Sequence, residues 1–180
     1  MSRELLTRDE WLYGICLAVA KGSKCLSRQI GAVLVRDNSI ISTGYNGPPR
    51  GTPHCWDRYK LDPILRQMMF DKGLSPDDPK HYDTCPRYTL GFKSGEGLDL
   101  CVAGHAERNA LINAARHGID TKGAKLYMDC GVPCTPCLVE IINSGIEEII
   151  VSKMVFYDIS AQYLLHRNDT LECRVYDHLE

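Results

Sequence analysis

From residue 102 onward the sequence alternates helical and extended patterns without a break, and this alternation limits the fold more than any other feature. "VAGHAERNALINAARHG" (102–118) carries apolar residues at helical spacing, with Leu111, Ile112 and Ala115 expected to face inward and Gly118 placed as a C-cap. "AKLYMDC" reads as a short strand, "CTPCLVEIINSG" as a helix ending at Gly145, and "IEEIIVSK" as a strand. "ISAQYLLHRN" and "ECRVYD" add a last helix and strand. Strand and helix in such succession build an α/β layered fold whose later strands run parallel.

Upstream, "RDEWLYGICLAVAK" (8–21) places Trp11, Ile15, Ala18 and Val19 at helical spacing, with Thr7 available as N-cap. "IGAVLVRDNSIISTGYNG" gives two β-rich runs around a turn at Asp37-Asn38, a hairpin pattern. From Gly47 to about Cys101 the character changes: seven prolines interrupt any period, and only "PILRQMMFDKG" looks helical. A stretch of this kind reads as an insertion held by something other than a core of its own. With 180 residues, 44% of them hydrophobic, the chain is expected to form a single domain over 1–180 with this insertion at about 47–101.

A formal net charge of −2 offers no general attraction to a phosphate backbone, so a polymeric nucleic-acid partner has no electrostatic support. No apolar run is long enough to cross a bilayer and the N-terminal stretch lacks a signal-peptide layout, so no membrane partner and a cytoplasmic location are expected. Nine cysteines are many for that compartment, where thiols serve metal ligation or burial rather than disulfides. Cys16, Cys130 and Cys173 read as buried thiols.

The chemistry concentrates in "HAE" at 105–107 and "PCTPC" at 133–137. Two cysteines separated by two residues at a helix N-terminus can direct both sulfurs to one point, where the helix dipole favours thiolates. A third ligand from another helix start leaves one tetrahedral position open, which suits a catalytic rather than a structural zinc. Zinc so held can bring the pKa of water from 15.7 to about 7. Glu107, next but one to His105, can then carry a proton from that water to a ring nitrogen and on to a leaving amine.

His-x-Glu followed by Pro-Cys-x-x-Cys is the signature of zinc nucleobase deaminases. With "SKCLSRQIGAVLV" (23–35), "STGYNGPPRG" (42–51), "GHAERNAL" (104–111) and "GVPCTPCLVEIINSGI" (131–146), the sequence resembles the deoxycytidylate (dCMP) deaminase family from the first helix to about residue 152. The resemblance implies a three-layer α/β/α cytidine-deaminase-like fold with a central mixed five-stranded sheet, and conversion of dCMP and water to dUMP and ammonia for thymidylate synthesis. It makes His105, Cys134 and Cys137 the zinc ligands and Glu107 the proton shuttle.

The resemblance also tips Asn46 in "GYNG" from a simple turn residue toward a contact with the sugar hydroxyl, with Gly44 and Gly47 allowing close backbone approach. Ser27, Arg28 and Arg50 are the candidates for the 5'-phosphate, and Arg28 reads equally well as a solvated surface charge. Cys25, Cys55, Cys85 and Cys101 fall near the positions of a second, structural zinc in several family members, with His54 as alternate to Cys55. Family members of this length imply a homohexamer, dCTP as activator and dTTP as inhibitor, with Mg2+ on the triphosphate. A free-nucleoside cytidine deaminase, a tRNA adenosine deaminase and a non-catalytic zinc-stabilised nucleotide-binding module are the competing readings.

Overall fold

The computed structural model describes residues 5–179. They divide into two compact units: one comprises the chain up to Ser23, Ile30–Asn46 and everything from His105 onward, the other Lys24–Gln29 with Gly47–Gly104.

The first unit is built on five strands, β1 (Gly31–Arg36), β2 (Ser39–Tyr45), β3 (Lys125–Met128), β4 (Glu148–Val151) and β5 (Glu172–Val175), in the order β2-β1-β3-β4-β5. β1 runs antiparallel to both β2 and β3, while β3, β4 and β5 are mutually parallel, so the sheet is mixed. Asp37 and Asn38 both take positive φ, 49° and 63°, which matches the right-handed twist of the hairpin they connect. Helix α1 (Arg8–Ala20) lies before the hairpin and opens on a capping box between Thr7 and Glu10.

Strand residues alternate between two hydrophobic clusters, as a period of two requires. Ala32, Leu34, Leu126, Met128, Ile149 and Val151 face the larger one, and Val33, Val35, Tyr127 and Ile150 face the cluster that holds Leu12 and Cys16 of α1. The larger cluster contains residues of three further helices, α5 (Ala106–Arg116), α6 (Thr135–Asn143) and α7 (Ile159–Arg167). The result is the α/β layering expected from the alternation, in the three-layer α/β/α form that the resemblance implies.

Two faces differ from the sequence reading. In α1 the buried residues are Asp9, Leu12, Cys16 and Ala20, and Trp11 is exposed. In α5 the buried residues are Ala106, Glu107, Ala110 and Ala114, while Ile112 and Ala115 are exposed and Leu111 is half-buried. The reason is close approach. A Cβ on Gly31 would stand 2.1 Å from the Cys16 carbonyl, and one on Gly44 would stand 2.2 Å from the Ala110 nitrogen. In α5 this close approach turns the alanines inward, so hydrophobicity points to the wrong stripe; in α1 it sets Cys16 and Ala20 against Gly31 and carries Leu12 into the core with them.

β2 is an edge strand, and α5 occupies its free polar groups. Asn109 and Asn113 donate from Nδ2 to the carbonyls of Tyr45 and Thr43, both at 2.8 Å, and Ser42 donates to the Ala110 carbonyl at 2.7 Å.

The second unit contains α2 (Cys55–Leu61), α3 (Pro63–Asp71) and the single turn α4 (Pro86–Thr89). Contrary to the expectation for the insertion, it has a core of its own: Tyr59, Leu65, Met69 and Leu90, flanked by Phe92 and Leu100. The sequence concealed α2 because it has seven residues and stops at Asp62, whose carboxylate caps α3 through Ile64 N–H and Leu65 N–H. Gly47 and Gly104 exchange backbone hydrogen bonds at the two ends of the long segment.

Candidate metal centre

The N-termini of α5 and α6 meet at one point. His105 is the N-cap of α5 in extended backbone (φ −77°, ψ 155°), and Cys134 is the N-cap of α6 (φ −69°, ψ 162°) with Cys137 one turn further on. The Cys134 and Cys137 sulfurs lie 3.5 Å apart, and His105 Nδ1 is 3.5 Å from the first and 3.3 Å from the second. Tetrahedral zinc with Zn–S of about 2.3 Å and Zn–N of about 2.05 Å needs S···S near ~3.8 Å and N···S near ~3.6 Å. The three donors fit zinc in chemical type and to within a few tenths of an ångström in spacing. With Glu107 they form the one group of three or more such side chains, among the described residues, whose donor atoms all lie within 4.8 Å of one another.

The electrostatics suit a cation. The hydrogen bond from Cys137 lowers the Cys134 thiol to about 5 against the opposing effect of burial, and His105 adds to it. Cys137 is pushed strongly up, first by that same bond to Cys134 and then by burial. His105 rises to about 10 because Cys134 and then Glu107 hold its proton. Metal binding at such donors releases the protons they carry.

Glu107 is set apart from the three. Its side chain is 6% exposed against 52% for His105, and Oε1 lies 3.7 Å from His105 Nδ1. Arg108, the next residue, reaches across to α6 with Nε 2.9 Å and Nη2 2.8 Å from the two Glu140 oxygens, a bidentate pair that ties the two ligand-bearing helices together.

The other sequence candidates fall as follows. Asn46 is buried at the end of β2, where its Oδ1 accepts from Ile30 N–H at 2.8 Å and its carbonyl accepts from Ser23 Oγ at 2.7 Å. Gly44 serves approach, but the approach is by α5 itself. Ser27, Arg28 and Arg50 belong to the second unit, with both arginines exposed, and the Ser27 hydroxyl pairs with Tyr88 Oη at 2.7 Å. Sequence reading missed Tyr88, as it missed Arg108, because neither partner lies at a recognisable spacing.

Cys25, Cys55, Cys85 and Cys101 also collect in the second unit. Burial first, then the neighbouring Cys85, Cys25 and Cys101 sulfurs, push the Cys55 thiol up to about 11. Their identity as thiols suits zinc. His54 Nδ1, beside Cys55, is buried without a hydrogen-bond partner. Of the three cysteines read as buried thiols, Cys16 is fully buried and Cys130 and Cys173 are half-buried; none of the nine is in a disulfide.

A mixed sheet flanked by helices, with two helix starts delivering one imidazole and two cysteine sulfurs beside a buried carboxylate, defines an α/β domain with a metal-binding centre of zinc type. The sequence pattern described as "Cytidine and deoxycytidylate deaminase zinc-binding region" matches residues 6–153, and the chain belongs to that family. It is 35% identical over 150 residues to the deoxycytidylate deaminase of Mycobacterium phage D29, covering 81% of this chain and 94% of the relative. It is also 35% identical over 142 residues to the deoxycytidylate deaminase of Schizosaccharomyces pombe, covering 79% of this chain. The chain spans little more than a third of the yeast relatives it matches, 36% of the Schizosaccharomyces pombe enzyme and 37% of the Saccharomyces cerevisiae enzyme. The crystal structure of the dCMP deaminase of cyanophage S-TIM5 in complex with dCMP and dUMP shares the fold, with TM-score 0.61 and 20% identity over 95% of this chain and 99% of that one. No helix among the described residues is long and apolar enough to cross a membrane.

Proposed function

We propose that this chain catalyses the hydrolytic deamination of dCMP to dUMP and ammonia in the cytoplasm, supplying dUMP for thymidylate synthesis. The observation that carries the proposal is a buried carboxylate, Glu107, beside a complete set of three zinc donors. A module that needed only the metal would have no use for that group. His105, Cys134 and Cys137 would hold the zinc, which supplies a nucleophilic oxygen at neutral pH by acidifying water. Glu107 would take one proton from the water and deliver it to the pyrimidine ring nitrogen, then take the second from the hydroxyl now bonded to the ring carbon and pass it to the amine, which leaves as ammonia as the carbonyl forms, the work of one positioned acid–base group.

For the nucleotide, Asn46 contacts the sugar hydroxyl with its amide orientation fixed by Ile30 N–H. Ser27, Arg28 and Arg50 hold the 5'-phosphate, and the Ser27–Tyr88 hydroxyl pair is part of that surface. Cys25, Cys55, Cys85 and Cys101, with His54 as alternate, take a second, structural zinc; the mutual influence of the four thiols at Cys55 supports this. The family reading extends to a homohexamer, activation by dCTP and inhibition by dTTP, with Mg2+ carried on the triphosphate.

Purified protein incubated with dCMP, deoxycytidine, dCTP and an adenosine-containing RNA, with ammonia followed, separates the readings. Release from dCMP well above the others is expected, and added dCTP and dTTP should shift that rate in opposite directions. Preference for deoxycytidine or RNA, or no release from any, contradicts the substrate assignment.

A further inference from the structure

Asp158 lies outside every motif read from the sequence, yet its carboxylate serves the starts of two helices. It caps α7 by accepting from Ala161 N–H at 2.7 Å. From 23 positions downstream it also takes the first residue of α6, accepting from Thr135 N–H at 3.0 Å through Oδ2 and from the Thr135 hydroxyl through Oδ1.

That second grip answers a need created by the metal centre. A helix N-terminus leaves backbone N–H groups without intrahelical partners, and the N-cap side chain ordinarily accepts from one of them. The N-cap of α6 is Cys134, which makes no side-chain cap hydrogen bond; its sulfur is directed to His105 and Cys137. With that sulfur turned to the other two donors, Asp158 takes the amide that follows it. Thr135 sits between the two cysteines in sequence, so holding its N–H and hydroxyl at once fixes where the first turn of α6 begins and how both sulfurs are aimed.

We propose that Asp158 is a positioning residue for the Cys134–Cys137 pair, preorganising the two thiolates through Thr135 while tying α6 to α7. This rests on the reading that the pair holds zinc. Groups that orient metal ligands from behind commonly change metal affinity by about 10–100-fold when removed.

The test is zinc affinity of the full chain, measured by competition with a chromophoric chelator, together with the visible spectrum of the cobalt-substituted protein. Asp158→Ala is expected to weaken zinc binding about 10–100-fold and to change the cobalt bands. Thr135→Val, which leaves the Asp158–Ala161 cap intact, should weaken it in the same direction, and Thr135→Ser should restore wild-type affinity. The double variant Asp158→Ala/Thr135→Val should be no worse than Asp158→Ala alone, because both remove one interaction. Wild-type zinc affinity and cobalt bands in Thr135→Val and Asp158→Ala, with only the melting temperature lowered, would overturn the proposal. Cys134→Ser separates the underlying reading: if it binds zinc as the wild type does, the ligand assignment itself falls.

Discussion

His105 and Glu107 are two residues apart yet occupy opposite environments, because one belongs to the extended N-cap and the other to the first helical turn. The backbone change at Ala106 lets the imidazole join the sulfurs while the carboxylate stays sealed. This was legible in the sequence because ligand spacing is a local property. The partners that steady these residues were not: Thr135 and Asp158, Arg108 and Glu140, and Ser27 and Tyr88 meet only through the fold. Arg28 belongs to this scale as well. If it holds the 5'-phosphate, Arg28→Ala should raise KM for dCMP by about tenfold or more, the worth of a charge-assisted hydrogen bond, and leave deoxycytidine unaffected. Equal changes for both substrates would return Arg28 to the role of a surface charge.

Among the elements, α5 shows how a pattern can be right in period and wrong in face. Its helix and its cap signals were readable, but the stripe buried is alanine because Gly44 brings β2 against the helix backbone. Gly44→Ala would force α5 away, since the new methyl would lie 2.2 Å from Ala110 N and 2.4 Å from Ala106 O. A loss of about 1–3 kcal/mol is expected from thermal or urea unfolding. Zinc retention should fall as well, because His105 and Glu107 move with the helix.

At the other side of the sheet, α1 is fastened to β5 by Arg174, whose Nη1 lies 2.6 Å from Asp9 Oδ2 and whose Nε lies 2.7 Å from Glu148 Oε1. Burial raises the Asp9 pKa, but the bonds from Arg174 and Asp177 N–H outweigh it and leave the carboxyl below its ordinary value of 3.8. The stability this contributes is therefore fully present above the unfolded value and is lost as pH falls through the lower folded one. Asp9→Asn should cost about 1–2 kcal/mol in urea unfolding at pH 7, the lower end for a charged pair because Arg174 is partly exposed, and progressively less as pH falls below the ordinary value of 3.8. A cost independent of pH would show that the side chain acts by packing alone.

For the whole molecule, the strand–helix alternation carried the α/β architecture, since each element there is long enough to show its period. In the second unit only the helix at Pro63 was readable, over "PILRQMMFDKG"; α2 and the single turn at Pro86 are too short to complete a stripe, and the small core of Tyr59, Leu65, Met69 and Leu90 is drawn from separate segments. Its four thiols make a prediction on metal content: two zinc ions per chain, falling to one in Cys85→Ser. One zinc per wild-type chain would remove the second site. If His105, Cys134 and Cys137 hold zinc, its removal by a chelator should lower the melting temperature, as loss of any ligand bound only by the native state does.

The most direct measurement is the rate of dUMP and ammonia formation from dCMP by the zinc-loaded chain and by its Glu107→Gln variant, with zinc quantified on the same samples. Equal zinc in both, equimolar dUMP and ammonia from the wild type, and a rate at least about 10²-fold lower in the variant are expected. A zinc-loaded wild type inert toward dCMP, or a variant that turns over at the wild-type rate, would contradict the assignment of Glu107 as the proton carrier of a dCMP deaminase.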